Sequence, residues 1–501
     1  MANRLLVLFT ALALGVGTAA AQDARSVLQA ASTAMGASNL KSIQYSGTGW
    51  AGIMGQNFAT NEDWPRVEVA SYSRTIDYEA RSLKEEVTRR QGSYPPRGGG
   101  AGFPIQGEQR QNALVSGSYA WNMNPQNMPV PQPAAVELRR LEIWLTPHGF
   151  LKGAMEANAT AVSREEAGKM VTIVSFTLMG KYRVNGTIND QNLVQYVQTW
   201  IPNPVVGDML WESRYENYRD FGGVKFPGRI HHHQGDTREV WLDRGHNVLE
   251  VNVSNVQANV SGSALPVPDS VRQAPAPAVR VASQKLADGV WFLAGGSHNS
   301  VAVEFADFVT IVDAPLNEER SLAVMAEVTK LVPNKPIRYV VNTHHHFDHS
   351  GGLRTYAAEG ATIITHEGNR DFYERILFSP APRTLEPDRF SLAPREAIIE
   401  PVNNKYVVSD GTRTLDLYYV LGLNHTGTML IAYFPKEKIV VNADMYTPPA
   451  PGTPPPATPP PNAVVLYNNI KRLNLDVAQI APIHGQVGSM ADFVKFVGKT
   501  E

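Results

Sequence analysis

The feature that most restricts how this chain can fold is a short apolar strand that ends in a cluster of histidines. Ile337-Arg338-Tyr339-Val340-Val341 is apolar enough for a sheet interior and runs directly into Asn342-Thr343-His344-His345-His346-Phe347-Asp348-His349-Ser350-Gly351-Gly352. A strand that delivers His344 and His346 two positions apart presents both imidazoles on one side. The turn after it can carry Asp348 and His349 to a second centre, so one peptide can serve two metal ions. A histidine-rich surface loop is the alternative, but it leaves unexplained why a buried-type strand ends there. Gly351 and Gly352 relieve the backbone where it enters a helix expected over 353–359.

The surroundings of this segment alternate strands with helices. Strand-like runs at 289–293, 300–305 and 308–313 precede a helix expected over 317–331, the texture of an α/β arrangement. The first half of the chain reads differently. After a short amphipathic helix over 23–35, the stretch from Ile43 to Val260 is mostly period-two strands separated by Gly, Asn and Asp turns, which predicts an antiparallel meander. Within it, Tyr215-Glu216-Asn217-Tyr218-Arg219-Asp220-Phe221-Gly222-Gly223-Val224-Lys225-Phe226-Pro227 resembles segments of periplasmic β-rich domains of the lipoprotein-carrier type. A chain of 501 residues exceeds what one core supports. Pro266, Pro268, Pro275 and Pro277 mark a semi-rigid linker. The expected division is a signal peptide at 1–21, a β-rich domain at 22–264, a linker at 265–279 and a second domain at 280–501.

The signal peptide is read from Arg4, the apolar run Leu5 to Val16 and the small residues Ala19 and Ala21 before Gln22. That run is too short to span a bilayer, and no later segment is long and apolar enough either. Export to a bacterial periplasm is the expectation. A formal net charge of -2 gives no general attraction to nucleic acid or an anionic membrane, which leaves a small-molecule substrate as the expected partner. The chain has no cysteine, so any metal must be held by histidine and carboxylate. Two tempting clusters receive bland readings. Gly98-Gly99-Gly100 lacks the flanking strand and Lys of a phosphate cradle and reads as a flexible loop. His231-His232-His233 sits on a strand that turns His232 away from its neighbours, and the remaining pair, without a nearby carboxylate, is expected to be solvated.

His-x-His-x-Asp-His at a strand end resembles the metal motif of the metallo-β-lactamase superfamily, and the remaining elements of that family follow in order. Asp313 ends an early strand, Asn424-His425-Thr426-Gly427-Thr428 lies between two strands, Asn442-Ala443-Asp444 closes a third, and Ile483-His484-Gly485 follows a fourth apolar run. The resemblance covers about residues 280 to 501. It implies an α+β protein whose C-terminal part is a four-layer αβ/βα sandwich preceded by the antiparallel β domain. It also implies one metal on His344, His346 and His425, a second on Asp348, His349 and His484, and Asp444 bridging them. Oxygen and imidazole donors without sulfur suit zinc, with Fe²⁺ or Mn²⁺ as alternatives. Two divalent ions, two aspartates and a bridging hydroxide leave about one net positive charge, which favours an oxyanion. Asp348 is expected to orient the hydroxide and pass a proton to the leaving group, and Asp313 to stand behind the ligands and orient them. Tyr446 is a candidate hydrogen-bond donor to substrate. His345 is expected to point away from the metals. His298 lies in a loop that could approach the site and His366 ends a strand, and both are expected to be non-ligands because the ligand set is already full.

Asp444 also bears on the reaction. The β-lactamase branches of the family carry Cys or Ser at that position, whereas Asp resembles the glyoxalase II-type thioesterases and lactonases. Hydrolysis of an ester, lactone or thioester through a metal-bridging hydroxide is therefore expected. A β-lactam hydrolase and a non-catalytic envelope ligand-binding protein are the alternatives. The Pro-rich stretch Pro448 to Pro461 is expected to form an extended loop near the metals.

Overall fold

Alternation of side chains along the strands decides the architecture of the second half. The computed structural model describes residues 21–100, 102–235, 245–275, 278–379, 383–450 and 452–499. Apart from Ala21, the expected signal peptide lies outside them. In the seven-stranded sheet of residues 282–402, consecutive residues bury into two different cores. Ala302, Ile311, Val340 and Ile363 face one, while Val301, Val312, Val341 and Ile364 face the other. A sheet buried on both faces needs cover on both, and it has it. Helices Glu318–Leu331 and Leu353–Ala358 put Val324, Val328, Leu353 and Tyr356 against the first face. The second face packs on a six-stranded sheet of residues 405–489 through Leu415, Leu417, Leu430 and Phe434. Helices Pro461–Arg472 and Met490–Phe496 complete that core with Leu466, Ile470 and Phe493. The result is the expected four-layer αβ/βα sandwich.

Strands Val309–Val312, Ile337–Val341, Thr362–His366 and Ile399–Val402 run parallel, as do Ile439–Asn442 and Gln479–Pro482. Parallel neighbours bring their carboxyl ends to one edge, which is where open α/β sheets place their sites. Asp313, the 342–349 loop, Asp444 and His484 all follow such ends.

The first half is a 14-stranded antiparallel sheet of residues 21–258. Two meanders, 42–131 and 160–258, are joined edge to edge by pairing of Ser42–Gly52 with His246–Ala258. Helices Ala24–Ala34, Val136–Trp144 and Pro147–Glu156 bury Leu28, Leu141, Phe150 and Leu151 against one face. The expected linker does not hang free. Its residues 269–272 form a helical turn, Val271 is buried against Leu114 and Trp121, and Ser116 Oγ donates to Leu265 O at 2.8 Å. Apolar side chains at 265, 267 and 271 give this proline-rich stretch something to bury, which its composition concealed. Among the described residues no helix is long and apolar enough to cross a membrane.

The two halves are joined by hydrogen bonds from charged side chains to neutral groups. Arg383 donates to the carbonyls of Asn203, Pro204 and Val205 at 3.2, 3.0 and 2.8 Å, and Asp208 accepts from Thr384 and Leu385. Asp388 holds the same segment by a two-pronged pair with Arg354 at 2.5 and 3.0 Å. Burial opposes ionisation of Asp388, but Arg354 and Arg383 outweigh it and hold the carboxyl down to about 2. A carboxyl depressed in the folded state stabilises the fold above its unfolded value of about 4, and that contribution fades as pH falls towards 2. Asp388→Asn is expected to lower the unfolding free energy at pH 7 by about 2 kcal/mol. The difference from the unmodified chain should close between pH 4 and pH 2 in urea titrations. A pH-independent difference would contradict the assignment.

Candidate metal centre

Three strand-end loops deliver the first group of candidate ligands. His344, His346, His425 and Asp444 each place a donor atom within 4.8 Å of the others, and all four are buried. The 342–349 loop is shaped by Asn342, whose amide donates to the carbonyls of His344 and His349 at 2.7 and 3.2 Å and accepts from Thr365 and Tyr373. A Cβ at Gly352 would lie 2.2 Å from Ser321 Oγ and 2.8 Å from Ala314 O, so the turn after the loop has no room for a side chain. The second group is His298, Asp348, His349 and His484.

Asp444 stands between the groups. Its Oδ2 lies 3.3 Å from His344 Nε2, 3.1 Å from His425 Nε2 and 2.9 Å from His349 Nε2, and its Oδ1 lies 2.9 Å from His484 Nε2. Both Asp444 and Asp313 adopt left-handed backbone, at φ 57° and 69°. That conformation costs a residue other than glycine about 1–3 kcal/mol and here turns each carboxylate inward.

The far side of each ring shows which nitrogen is free for a cation. His349 Nδ1 donates to Asp313 Oδ2 at 2.5 Å, and His484 Nδ1 donates to Ser297 O at 3.0 Å. Thr343 Oγ1 donates to Asp313 Oδ1 and lies 3.1 Å from His344 Nδ1. In each case Nε2 is left to face Asp444. His346 is reversed. Its Nε2 donates to Asn57 O at 3.0 Å, leaving Nδ1 buried without a hydrogen-bond partner. Burial drives His344 and His346 well below the ordinary histidine range, so both are neutral and can donate lone pairs. Burial opposes ionisation of Asp444 too, yet the imidazoles of His349 and His425 hold it well below the carboxylate range. Against its own burial His349 is raised by Asp444, Asp313 and Asp348, a crowd of anions that calls for positive charge. Converging lone pairs, an orphaned Nδ1 and excess carboxylate are what a divalent cation fits.

All seven residues expected to be ligands come together here. Asp313 backs His349 as described. His345 points elsewhere, with Nε2 donating to Asn57 O and Nδ1 3.0 Å from Thr428 Oγ1. His366 caps Gly368 N and stands apart. Tyr446 is absent from both groups, and its ring packs 4.5 and 5.0 Å from Phe493 and Phe496. The Pro-rich loop starts beside the His484 turn, where Gln486 Nε2 donates to Pro449 O.

Two expectations are corrected. His298, read as a bystander, lies 3.3 Å from Asp348 Oδ2 with its ring 4.2 Å from that of His484. The loop after strand Val290–Ala294 does approach the site, and it brings His298 into the second group. The glycine run is no free loop either. Gly98 N donates to Asn424 O, Gly99 N to Gln56 O, and both take left-handed backbone.

The first half of the chain contributes groups that had no signal in the sequence. Residues 53–65, between strands Ser42–Gly52 and Arg66–Asp77, lie across the metal loops. Gln56 Nε2 donates to Asp348 Oδ1 at 2.7 Å, Asn57 O takes both His345 and His346, and Phe58 O accepts from Gly427 N. Gly55 permits the approach, since a Cβ there would lie 2.3 Å from the Phe347 ring. These residues are unremarkable singly, and only the tertiary contact gives them a role. Asp348 and His484 are the partly exposed members of the set, at 33% and 19%, so the second group faces the solvent.

Because Asp313 fixes the His349 ring, Asp313→Ala is expected to weaken zinc binding at the second group by about 10–100-fold. Titration of the stripped chain against a competing chelator measures this. Unchanged affinity at both groups would contradict the role.

Residues 293–481 match the family described as the metallo-β-lactamase superfamily. Over 158 residues the chain is 25% identical to the 2,4-dinitroanisole O-demethylase subunit alpha of Nocardioides sp. (strain JS1661), covering 31% of this chain and 43% of that one. The match thus spans less than half of that relative. Among solved structures, a metallo-β-lactamase from Pontibacter korlensis aligns at 15% identity and TM-score 0.34, covering 44% of this chain and 98% of its own. The metallo-β-lactamase FIM-1 from Pseudomonas aeruginosa in its mono-zinc form aligns at 20% identity and TM-score 0.33, covering 44% and 94%.

Proposed function

Given that the C-terminal domain of this chain belongs to the metallo-β-lactamase superfamily, we propose that the protein is an exported hydrolase of an ester, lactone or thioester, dependent on two divalent ions, zinc by preference. The observation that carries this reading is Asp444, whose two oxygens are divided between imidazoles of both ligand groups. His344, His346 and His425 would hold one ion, and Asp348, His349 and His484 the other, with Asp444 between them. Bound there, divalent ions polarise a carbonyl and provide hydroxide at neutral pH.

The protein's own groups do the rest. Asp348 is the exposed carboxylate of the site, and burial notwithstanding, His349 and His298 keep it ionised well below the ordinary range. Gln56 fixes one of its oxygens and His298 the other, so it is aimed to accept a proton from the nucleophile and return it to the leaving group. Asp at position 444 favours esters, lactones and thioesters, because the β-lactamase branches of the family carry Cys or Ser there.

Hydrolysis of a panel of esters, lactones, thioesters and cephalosporins by the zinc-loaded chain tests the reading. Turnover of an acyl-oxygen or acyl-sulfur substrate is expected to exceed that of every cephalosporin. Full metal loading with no turnover of any class would favour a ligand-binding protein instead. Asp348→Ala is expected to reduce kcat by at least about 10³-fold with an unchanged circular dichroism spectrum. Retained activity would show that another group carries the proton. Export predicts a mature chain beginning at Gln22, read by N-terminal sequencing, and a periplasmic chain that retains Met1 would contradict the cleavage.

A further inference from the structure

The histidine run on strand Lys225–Gly235 is buried rather than solvated, and it faces carboxylates. His231 and His233 are 8% and 5% exposed. Their Nε2 atoms lie 2.9 Å apart, and the Oδ1 of Asn247 on the neighbouring strand lies 2.9 Å from one and 3.1 Å from the other. Sequence spacing hides this arrangement because the partners come from other strands. A register shift at His232/His233 also alters the pairing with strand His246–Ala258.

Hydrogen positions follow from the surroundings. Asn247 Nδ2 donates to Asp63 Oδ2 at 2.9 Å, which turns its Oδ1 towards the imidazoles. His231 Nδ1 faces Glu250 at 3.4 Å, and His233 Nδ1 faces Glu212 at 3.6 Å. Despite burial, His233, Arg214 and Gln198 hold Glu212 down to about 2, and Arg229 keeps Glu250 ionised. In the tautomer with both ring protons on the Nδ1 side, each proton faces a carboxylate, although neither contact has hydrogen-bond geometry. What remains at the centre is three lone pairs, two from nitrogen and one from oxygen, meeting at contact distance. Such a triangle repels itself unless a positive charge occupies it, and burial of His231 disfavours a proton there.

We propose that His231, His233 and Asn247 form a second, separate site for a divalent cation of the zinc class. Carboxylates behind both histidines are the usual companions of metal-bound imidazoles. Tetrahedral zinc with bonds near 2.0–2.1 Å holds its ligand atoms about 3.3 Å apart, so the triangle needs to open by only a few tenths of an ångström. The cation would tie together strands Gly207–Asp220, Lys225–Gly235 and His246–Ala258, and through Asp63 the 53–65 segment as well. His246 accompanies it, meeting Asp63 Oδ1 at 3.1 Å and stacking on Trp64 at 4.4 Å. Trp64 in turn meets Phe347, between two ligands of the first centre, at 6.0 Å edge to face. The site is thus built to brace the segment that carries Gln56 and Asn57.

The test uses the full chain, stripped with a chelator, reloaded with Zn²⁺, gel-filtered and counted by atomic emission. His231→Gln with His233→Gln is expected to retain one zinc per chain fewer than the unmodified protein. Equal zinc content would overturn the proposal and leave a hydrogen-bonded cluster. Diffraction at the zinc edge from crystals of the unmodified, zinc-loaded chain decides the matter even if the double variant fails to fold. An anomalous peak within about 2.1 Å of both Nε2 atoms is expected. Peaks confined to the His344 and His349 groups would overturn it.

Discussion

Everything in the second half of the molecule is arranged around one buried carboxylate. Asp444 lies at the end of a central strand, in a strained left-handed conformation, with four imidazole nitrogens within 3.3 Å of its two oxygens. A buried anion is costly unless positive charge joins it. The backing groups supply what the rings need on their other side: Asp313 for His349, Thr343 for His344, Ser297 O for His484 and Asn57 O for His346. The sheets exist in this form because parallel strands bring these loops to one edge, and the two-faced burial of Val340 and Val341 holds that edge rigid.

The N-terminal domain is more than an appendage. Its 53–65 segment reaches the metal loops with Gly55 against Phe347, and the glycine run at 98–99 packs beside Asn424. Asp348 is held from this side by Gln56. The hold on Asp348 and the ring orientation of His346 therefore both depend on the contact between the two halves, which the Arg383 and Asp208 contacts maintain.

The sandwich and its ligands were legible in the sequence because their signals are local. Apolar runs such as 337–341 and 439–441 stop at an Asn two residues before His344 or Asp444, and a strand end fixes where the next side chains go. Gln56 and Asn57 were not legible, since each acts through a contact far away in the chain. The His231 pair was misread for a related reason. Alternation correctly separated His232 from its neighbours, but the carboxylates Glu212 and Glu250 come from adjacent strands and cannot be counted from spacing. The packing of the stretch at 265–275 was not legible in its composition, because its prolines outweigh the three apolar side chains that anchor it.

Electron paramagnetic resonance of the full chain loaded with Mn²⁺ tests the central claim, that Asp444 joins two metal positions into one centre. A spin-coupled pair is predicted at two equivalents of Mn²⁺, giving way to uncoupled signals in Asp444→Asn. Uncoupled, mononuclear signals from the unmodified chain at every loading would contradict it.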